Sequence, residues 1–277
     1  MLIREIEAKD VGLFKAMELS RLVLDVFAQE NYSEVLLGPL YIKELRSESR
    51  TTFRYKKLVL FFALDLWKRA KLCNNRNWEV IGDSGDLIGF SSWNVPIGSK
   101  TPPSIWTTAY RWIIERAVSL GEFLLCLGDG KDSLLAQGKA LGSVTAQMDD
   151  EIGWLKVPEA TLAHFDNDKL SKTIYHRKQM WWCSKMVIDP KYQRQGYGFK
   201  LFKHCLDNIE PYRPIFEDGD VKITAPAKYG LCSSENGRRL YEKFGFRLYK
   251  TASRYVGDVK LERPIYIKNY SEPLYQF

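Results

Sequence analysis

The chemistry of this chain concentrates in one stretch, Met186-Val-Ile-Asp-Pro-Lys-Tyr-Gln-Arg-Gln-Gly-Tyr-Gly-Phe-Lys-Leu-Phe202. An apolar run that reads as a buried strand ends at Asp189-Pro190. A turn then covers Gln193 to Gly198, and an amphipathic helix starts at once. Glycines at 196 and 198 permit backbone conformations that side chains resist, and they let a ligand approach the main chain closely. The helix start presents amide N–H groups and a partial positive charge, the two features that bind phosphate. Lys191, Arg194 and Lys200 add formal charge, so a diphosphate held here needs no metal ion.

Other phosphate devices fit less well. A dinucleotide fingerprint asks for glycine three residues after Gly198, where this chain has Leu201. The nucleoside-triphosphate loop, with its Gly-Lys-Ser/Thr ending, is missing from the sequence. Taken alone, the glycine pair also suits a plain tight turn between a strand and a helix.

A second constellation lies further along the chain, Ser233-Ser-Glu-Asn-Gly-Arg-Arg-Leu-Tyr-Glu-Lys-Phe-Gly-Phe246. In this order, the two segments resemble the acyl-CoA-binding region of the GNAT superfamily of N-acetyltransferases. The first matches that family's Gln/Arg-x-x-Gly-x-Gly/Ala pattern through Gln193, Gly196 and Gly198. The second resembles Asn-x-x-Ala-x-x-Leu-Tyr-x-Lys-x-Gly-Phe, closely so over Leu240 to Phe246. Ser234 stands where asparagine is common and Gly237 where alanine is common, which weakens contacts at the cofactor edge. The resemblance covers Met180 to Tyr255; the N-terminal part agrees only in outline.

The resemblance implies acetyl-CoA as cofactor and gives each residue a role. Amides from Arg194 through Gln195, Gly196, Tyr197, Gly198 and Phe199 would hold the pyrophosphate. The strand at Met186, Val187 and Ile188 would splay from its neighbour and offer backbone groups to the pantetheine. Tyr241 aligns with the tyrosine that protonates the leaving thiolate, although a core aromatic is the competing reading. Long fungal members of the family carry mid-chain insertions, which by analogy points to a eukaryotic small-molecule acetyltransferase.

A protonated amine must lose a proton before it attacks, and here the residues leave several candidates. Ser184, His176, Glu79, Asp150 and Glu151 are all eligible as base. His164 and His176 lie in a mixed polar stretch that suits surface histidines, and His204 falls opposite the apolar face of its helix.

The elements that must position these residues emerge from periodicity. Leu2 to Glu7 alternates as a strand. Asp10 is placed to cap a helix with Leu13, Phe14 and Met17 on one face, and a second helix covers Leu22 to Phe27. A third helix spans Phe53 to Arg69, with Phe61, Phe62, Leu64 and Trp67 expected inside. Trp78 to Ile81 and Leu87 to Val95 form a hairpin around Gly82-Asp-Ser-Gly85. A helix from Ile105 to Leu127 places Trp106, Tyr110, Ile113, Ile114 and Ala117 on one side, with further helix expected over 134–141 and 145–154. Trp181 to Ile188 is a strand, Gly198 to Ile209 a helix, and Asp220 to Thr224 a strand. A helix capped by Ser233 or Ser234 stops at Gly245, and Phe246 to Tyr255 and Leu261 to Tyr266 close the sheet. At least one of Trp181 and Trp182 is expected to face the acceptor side, because neighbouring strand residues point to opposite faces. The expected fold is one α/β domain: a mixed, mostly antiparallel sheet flanked by helices, with a helical insertion over 97–178 between strands 3 and 4.

Composition bounds the partners. The net charge of +7 favours anionic ligands. Its even spread, with no basic block at either end, argues against nucleic acid. The five cysteines form no C-x-x-C pair and suit a reduced compartment. The charged N-terminus lacks a signal-peptide run, and the apolar stretch Leu58 to Leu64 is too short to span a membrane. The expectation is a cytoplasmic or nuclear enzyme with no metal, acting by direct attack in a ternary complex. Its acceptor would be a small-molecule amine, or alternatively a protein lysine or N-terminus. A non-catalytic acyl-CoA-binding protein is the remaining rival.

Overall fold

The computed structural model describes residues 1–7, 9–28, 37, 41–47, 50–72, 75–95, 105–127, 129, 180–209, 212–217, 220–226, 228–256 and 259–269. The strands are β1 (Leu2–Ile6), β2 (Asn75–Ile81), β3 (Leu87–Asn94), β4 (Trp181–Ile188), β5 (Tyr212–Glu217), β6 (Asp220–Pro226), β7 (Lys228–Cys232), β8 (Arg247–Val256) and β9 (Val259–Asn269). The helices are α1 (Leu13–Phe27), α2 (Phe53–Leu72), α3 (Ile105–Cys126), α4 (Tyr197–Asn208) and α5 (Arg238–Lys243). Seven strands form one mixed, mostly antiparallel sheet in the order β1-β2-β3-β4-β7-β9-β8, and β5 pairs with β6 apart from it.

The chain divides into two compact units, and the division falls within β4 after Ser184 and within α4 after His204. The first unit holds β1, β2, most of β3, the end of β4, α1 to α3 and the start of α4. Its core joins Ala16, Leu19, Leu22 and Val23 of α1 to Ala63, Leu66 and Ala70 of α2, with Phe90 and Val187 from the sheet. A second cluster gathers Leu24, Tyr41, Leu45, Tyr55, Leu58, Val59 and Cys126. There the Tyr41 hydroxyl and the Lys57 ammonium both donate to Asp129, each at 2.5 Å.

Several expectations change in this unit. The helices expected at Asp10 and at Leu22 are one continuous helix, and it begins after Gly12 without a side-chain cap. Its buried stripe runs through Ala16, Leu19, Ser20 and Val23, which leaves Phe14 on the opposite side, 89% exposed. On α2 the 3.6-residue period selects Tyr55, Leu58, Val59, Ala63, Leu66 and Ala70 for burial, so Phe61, Phe62, Leu64 and Trp67 are only half-buried. On α3 Ile114, Val118 and Cys126 are buried, while Tyr110, Trp112, Ile113 and Ala117 are exposed. This helix meets α2 at Gly121, where an added Cβ would lie 3.0 Å from Leu64. The helices expected over 134–141 and 145–154, and the remainder of the 97–178 insertion beyond α3 and Asp129, lie outside the described residues.

The second unit is built on β7, β8 and β9. Antiparallel ladders join β7 to β9 and β9 to β8, while β4 runs parallel to β7 through Trp181–Tyr229, Trp182–Gly230 and Cys183–Leu231. Trp181 and Trp182 are both buried. Trp182 lies across Gly230, where an added Cβ would come within 2.7 Å of its ring. Two strands, β5 and β7, have no counterpart among the elements expected from periodicity. The strand expected at Asp220–Thr224 belongs to the separate β5–β6 hairpin, and β7 is the strand that pairs with β4.

Candidate functional site

The candidate residues fall in two segments, one in each unit. In the first, β4 ends at Ile188 and the chain enters a turn of 3-10 helix, Pro190–Tyr192. The Asp189 carboxylate caps this turn by accepting from the Lys191 amide at 2.9 Å. Proline at its first position suits the cap, because the missing N–H has no partner to lose. The Asp189 amide donates to Ile88 O of β3 at 2.8 Å, which ties the turn to the sheet.

Two glutamines brace the next six residues. The Gln193 side-chain amide donates to Ile188 O, and that of Gln195 donates to Lys191 O, each at 3.0 Å. Between and after them the backbone enters the left-handed region twice, with φ of 60° at Arg194 and 84° at Gly196. Such a conformation turns successive N–H groups toward one side and forms an anion-binding concavity. Around Gly196 a built Cβ would meet nothing within 4 Å, so the turn is open on that side. Tyr197 then starts α4, whose first amide bond runs from Lys200 to Gly196 O at 3.0 Å. The amides ahead of it face the turn, at the positive end of the helix.

The supporting packing is strong although the turn itself is exposed. Leu201, Phe202, Cys205, Leu206 and Ile209 are all buried, as their spacing requires. Arg194, Gln195 and Gly196 are exposed. Tyr192 and Tyr197 meet edge to face at 6.0 Å, and Lys200 lies 5.9 Å over the Tyr197 ring. The residues present therefore fit a diphosphate, because they supply oriented amides, cationic side chains and open space.

On β4 itself, burial changes along the strand. Trp181, Trp182 and Cys183 are buried, whereas Ser184, Lys185 and Met186 are partly accessible; Val187 is buried again and Ile188 partly accessible. The change comes where the ladder to β7 stops, at Cys183. Gly89 of β3 approaches the end of β4 so closely that a Cβ there would sit 2.5 Å from Ile188 and 3.1 Å from Val187 O.

The other segment runs from Ser233 to Phe246. Ser233, buried, donates its hydroxyl to Ser234 O at 2.6 Å. The helix α5 starts after Gly237 rather than at either serine, since Glu235 to Gly237 form a preceding turn. Tyr241 is buried, and its ring lies 6.4 Å from that of Phe246. A Cβ on Gly237 would come 2.9 Å from the Tyr241 ring. Gly245, with φ of 78°, ends the helix as expected, and Phe246 donates its amide back to Tyr241 O at 3.1 Å.

Of the base candidates, Glu79 is 1% exposed and neutralised twice, by Arg4 at 2.7 Å and by Lys15 at 2.6 Å. It anchors β1 and α1 to β2. His204 is half-buried on α4. Asp150, Glu151, His164 and His176 lie outside the described residues. Among the described residues no group of three or more acidic, histidine or cysteine side chains could hold a metal ion. Among them, too, no helix is long and apolar enough to cross a membrane.

Comparison with known proteins bears on both segments. Residues 137–248, a span that holds both motifs, match the family model described as acetyltransferase (GNAT) domain. No curated protein sequence matches the chain. Among solved structures the chain is similar to histone acetyltransferase HPA2 and related acetyltransferase from Corynebacterium glutamicum, at 13% identity, 99% of each chain and a TM-score of 0.48. It is likewise similar to arylalkylamine N-acetyltransferase 2 from Aedes aegypti, at 13% identity, 98% of this chain, 100% of the other and a TM-score of 0.48. The ribosomal-protein-S18-alanine N-acetyltransferase from Escherichia coli shares 13% identity over 98% of this chain and 94% of its own, with a TM-score of 0.37.

Proposed function

We propose that this chain is a single-domain GNAT-type acyltransferase that moves an acetyl group from acetyl-CoA to a primary amine of a small molecule. The observation that carries this reading is the turn Gln193–Gly198, with its two left-handed residues, open glycine and helix start. The match of residues 137–248 to the acetyltransferase domain model supports it. A net charge of +7 gives the protein little attraction for basic protein tails, which favours the small amine.

Acetyl-CoA, consumed as a substrate, supplies the activated thioester. In this reading the amides of Arg194 to Phe199 hold its diphosphate, and Arg194 adds charge. Gln193 keeps the turn in shape, because its side chain is occupied with Ile188 O. Backbone groups of Met186 and Val187 are offered to the pantetheine arm, and Ser234 and Gly237 border the cofactor. Tyr241 supplies a proton to the departing thiolate. A phenol of pKa about 10 can do this, because a thiol of pKa about 8.5 is a fair leaving group.

The test is calorimetric and thermal-shift binding of acetyl-CoA, with dephospho-CoA and NADH as controls, followed by turnover on a panel of amines and lysine peptides. At 100 times its dissociation constant the ligand should stabilise the wild type by about 2.7 kcal/mol. Gly196→Val should lose the response while remaining folded, because a β-branched residue at a φ of 84° forces the turn to change. A folded wild type with no response to acetyl-CoA would end the enzymatic reading.

A further inference from the structure

Helix α3 carries two apolar faces, and one of them packs on α2. On that face Ile114 and Val118 are buried, and Gly121 lies against Leu64 of α2. Roughly 100° around the helix runs a second stripe. It consists of Tyr110, Ile113, Ala117, Leu120, Leu124 and, in the turn that ends the helix, Leu127. Its steps of 3, 4, 3, 4 and 3 residues are the a/d repeat of a seam between helices. All six residues are exposed, the five large ones by 45% to 58%. Trp112 and Phe123, also exposed, widen the stripe on one side.

Area and charge narrow what can cover this stripe. About half the surface of seven large side chains, each of roughly 200 Å², is on the order of 700 Å². The largest apolar patch on a typical monomer is about 300–600 Å². Of the charged residues on α3, Arg111, Glu115 and Glu122 fall on the far side, and Arg116 borders the stripe. The Arg116 guanidinium lies 5.8 Å over the Trp112 ring. Such a surface offers little to nucleic acid or to a charged peptide. Its match is another apolar stripe of the same period on an exposed helix, and α3 of a second copy supplies one.

The stripe is also its own complement, because its spacing reads the same from both ends. An antiparallel pair of α3 helices about a two-fold axis sets Tyr110 against Leu127, Ile113 against Leu124, and Ala117 against Leu120. The small alanine meets a leucine on both sides of the axis, so large and small side chains interdigitate. Phe123 then comes to the level midway between Trp112 and Arg116 of the other copy.

We propose that the exposed stripe of α3 is a dimer interface, through which two copies of this chain pair their α3 helices antiparallel. About 700 Å² from each copy reaches the range of specific complexes, which bury about 1,200–2,000 Å² in total. The inference stands independently of the acyltransferase reading.

Sedimentation velocity over a concentration series tests it, with urea unfolding as the check on folding. The wild type should be a dimer at about 10 μM, within the affinity range of interfaces this size. Leu120→Glu places two carboxylates beside the axis and should raise the dimer dissociation constant about 100-fold. The variant monomer should unfold at the same urea concentration as the wild-type monomer, because Leu120 is exposed within the chain. Register has its own test: Tyr110→Cys/Leu127→Cys should give a covalent dimer on oxidation with copper–phenanthroline, and each single substitution should not. Residues 110 and 127 of one helix stand about 25 Å apart, too far to bond to each other. A wild type that stays monomeric at about 100 μM, a millimolar-range association at best, overturns the proposal. So does a dimer whose dissociation constant changes less than threefold in Leu120→Glu. A monomer that Leu120→Glu destabilises overturns it in favour of a segment of the same chain on the stripe. Covalent dimers from the single substitutions overturn the antiparallel pairing.

Discussion

The turn at Gln193–Gly198 and the segment Ser233–Phe246 both carry sequence motifs, yet they are physically opposite. The first is exposed and made of backbone, with two left-handed residues held by side-chain amides that bond to main-chain carbonyls. The second is packed: Tyr241, Phe244 and Phe246 are buried, and Gly237 leaves no room for a methyl group beside the Tyr241 ring. In the first, residue identity matters through the dihedral angles it permits. In the second it matters through volume. Substitutions should therefore separate cleanly, with turn changes felt in ligand affinity and packing changes felt in stability or turnover.

The largest effect that sharpens this contrast is expected at Gly230, on the packed side. Its missing Cβ leaves room for Met180 and the Trp182 ring, at 2.6 and 2.7 Å from where the methyl would stand. The ring is 2% exposed and has little freedom to yield. Gly230→Ala should cost about 2 kcal/mol in urea unfolding, as overpacking does, with the dissociation constant of acetyl-CoA unchanged for the folded protein. A stability within about 0.5 kcal/mol of wild type, the spread of neutral surface changes, would show that Met180 and Trp182 adjust freely.

A smaller effect is expected at Gly237. Its φ of −81° suits any residue, so alanine there brings no backbone strain. The added methyl would press on the Tyr241 ring from 2.9 Å. If Tyr241 protonates the thiolate, Gly237→Ala should lower kcat about tenfold, or about 1.4 kcal/mol, with little change in acetyl-CoA affinity. An unchanged kcat would detach the position of that ring from the rate.

The same contrast explains what is legible in the sequence. The turn is readable because dihedral demands leave glycine, proline and Asp-Pro signatures, and because α4 has a clear stripe in Leu201, Phe202, Cys205 and Leu206. The β7 strand is not, although it pairs with β4, because Lys228-Tyr-Gly-Leu-Cys232 is short and holds a glycine, which ordinarily signals a turn. That glycine instead makes room for Trp182, a reason that lies far away in the chain. The half-burial of Phe61, Phe62 and Trp67 has a related cause. Large apolar residues surround α2 on most sides, and only the packing partners decide which stripe goes inside.

The smallest effect, and the one with an unusual sign, is expected at Arg194. A non-glycine residue at a φ of 60° pays about 1 kcal/mol relative to glycine in the same conformation. Arg194→Gly should therefore leave the turn as it is and relieve that strain, and part of the gain returns as the entropy lost by a freer unfolded chain. Unfolding should show a stability equal to or up to about 1 kcal/mol above wild type. Affinity for acetyl-CoA should fall only a few-fold at low salt, because an exposed charge near a bound phosphate contributes little through water. The difference between variant and wild type should shrink further as ionic strength rises. If the turn binds through its amides, this variant keeps most of the affinity that Gly196→Val loses. An Arg194→Gly protein that loses binding as completely as Gly196→Val would instead make the guanidinium the main contact, and the turn would be a side-chain site like its packed counterpart.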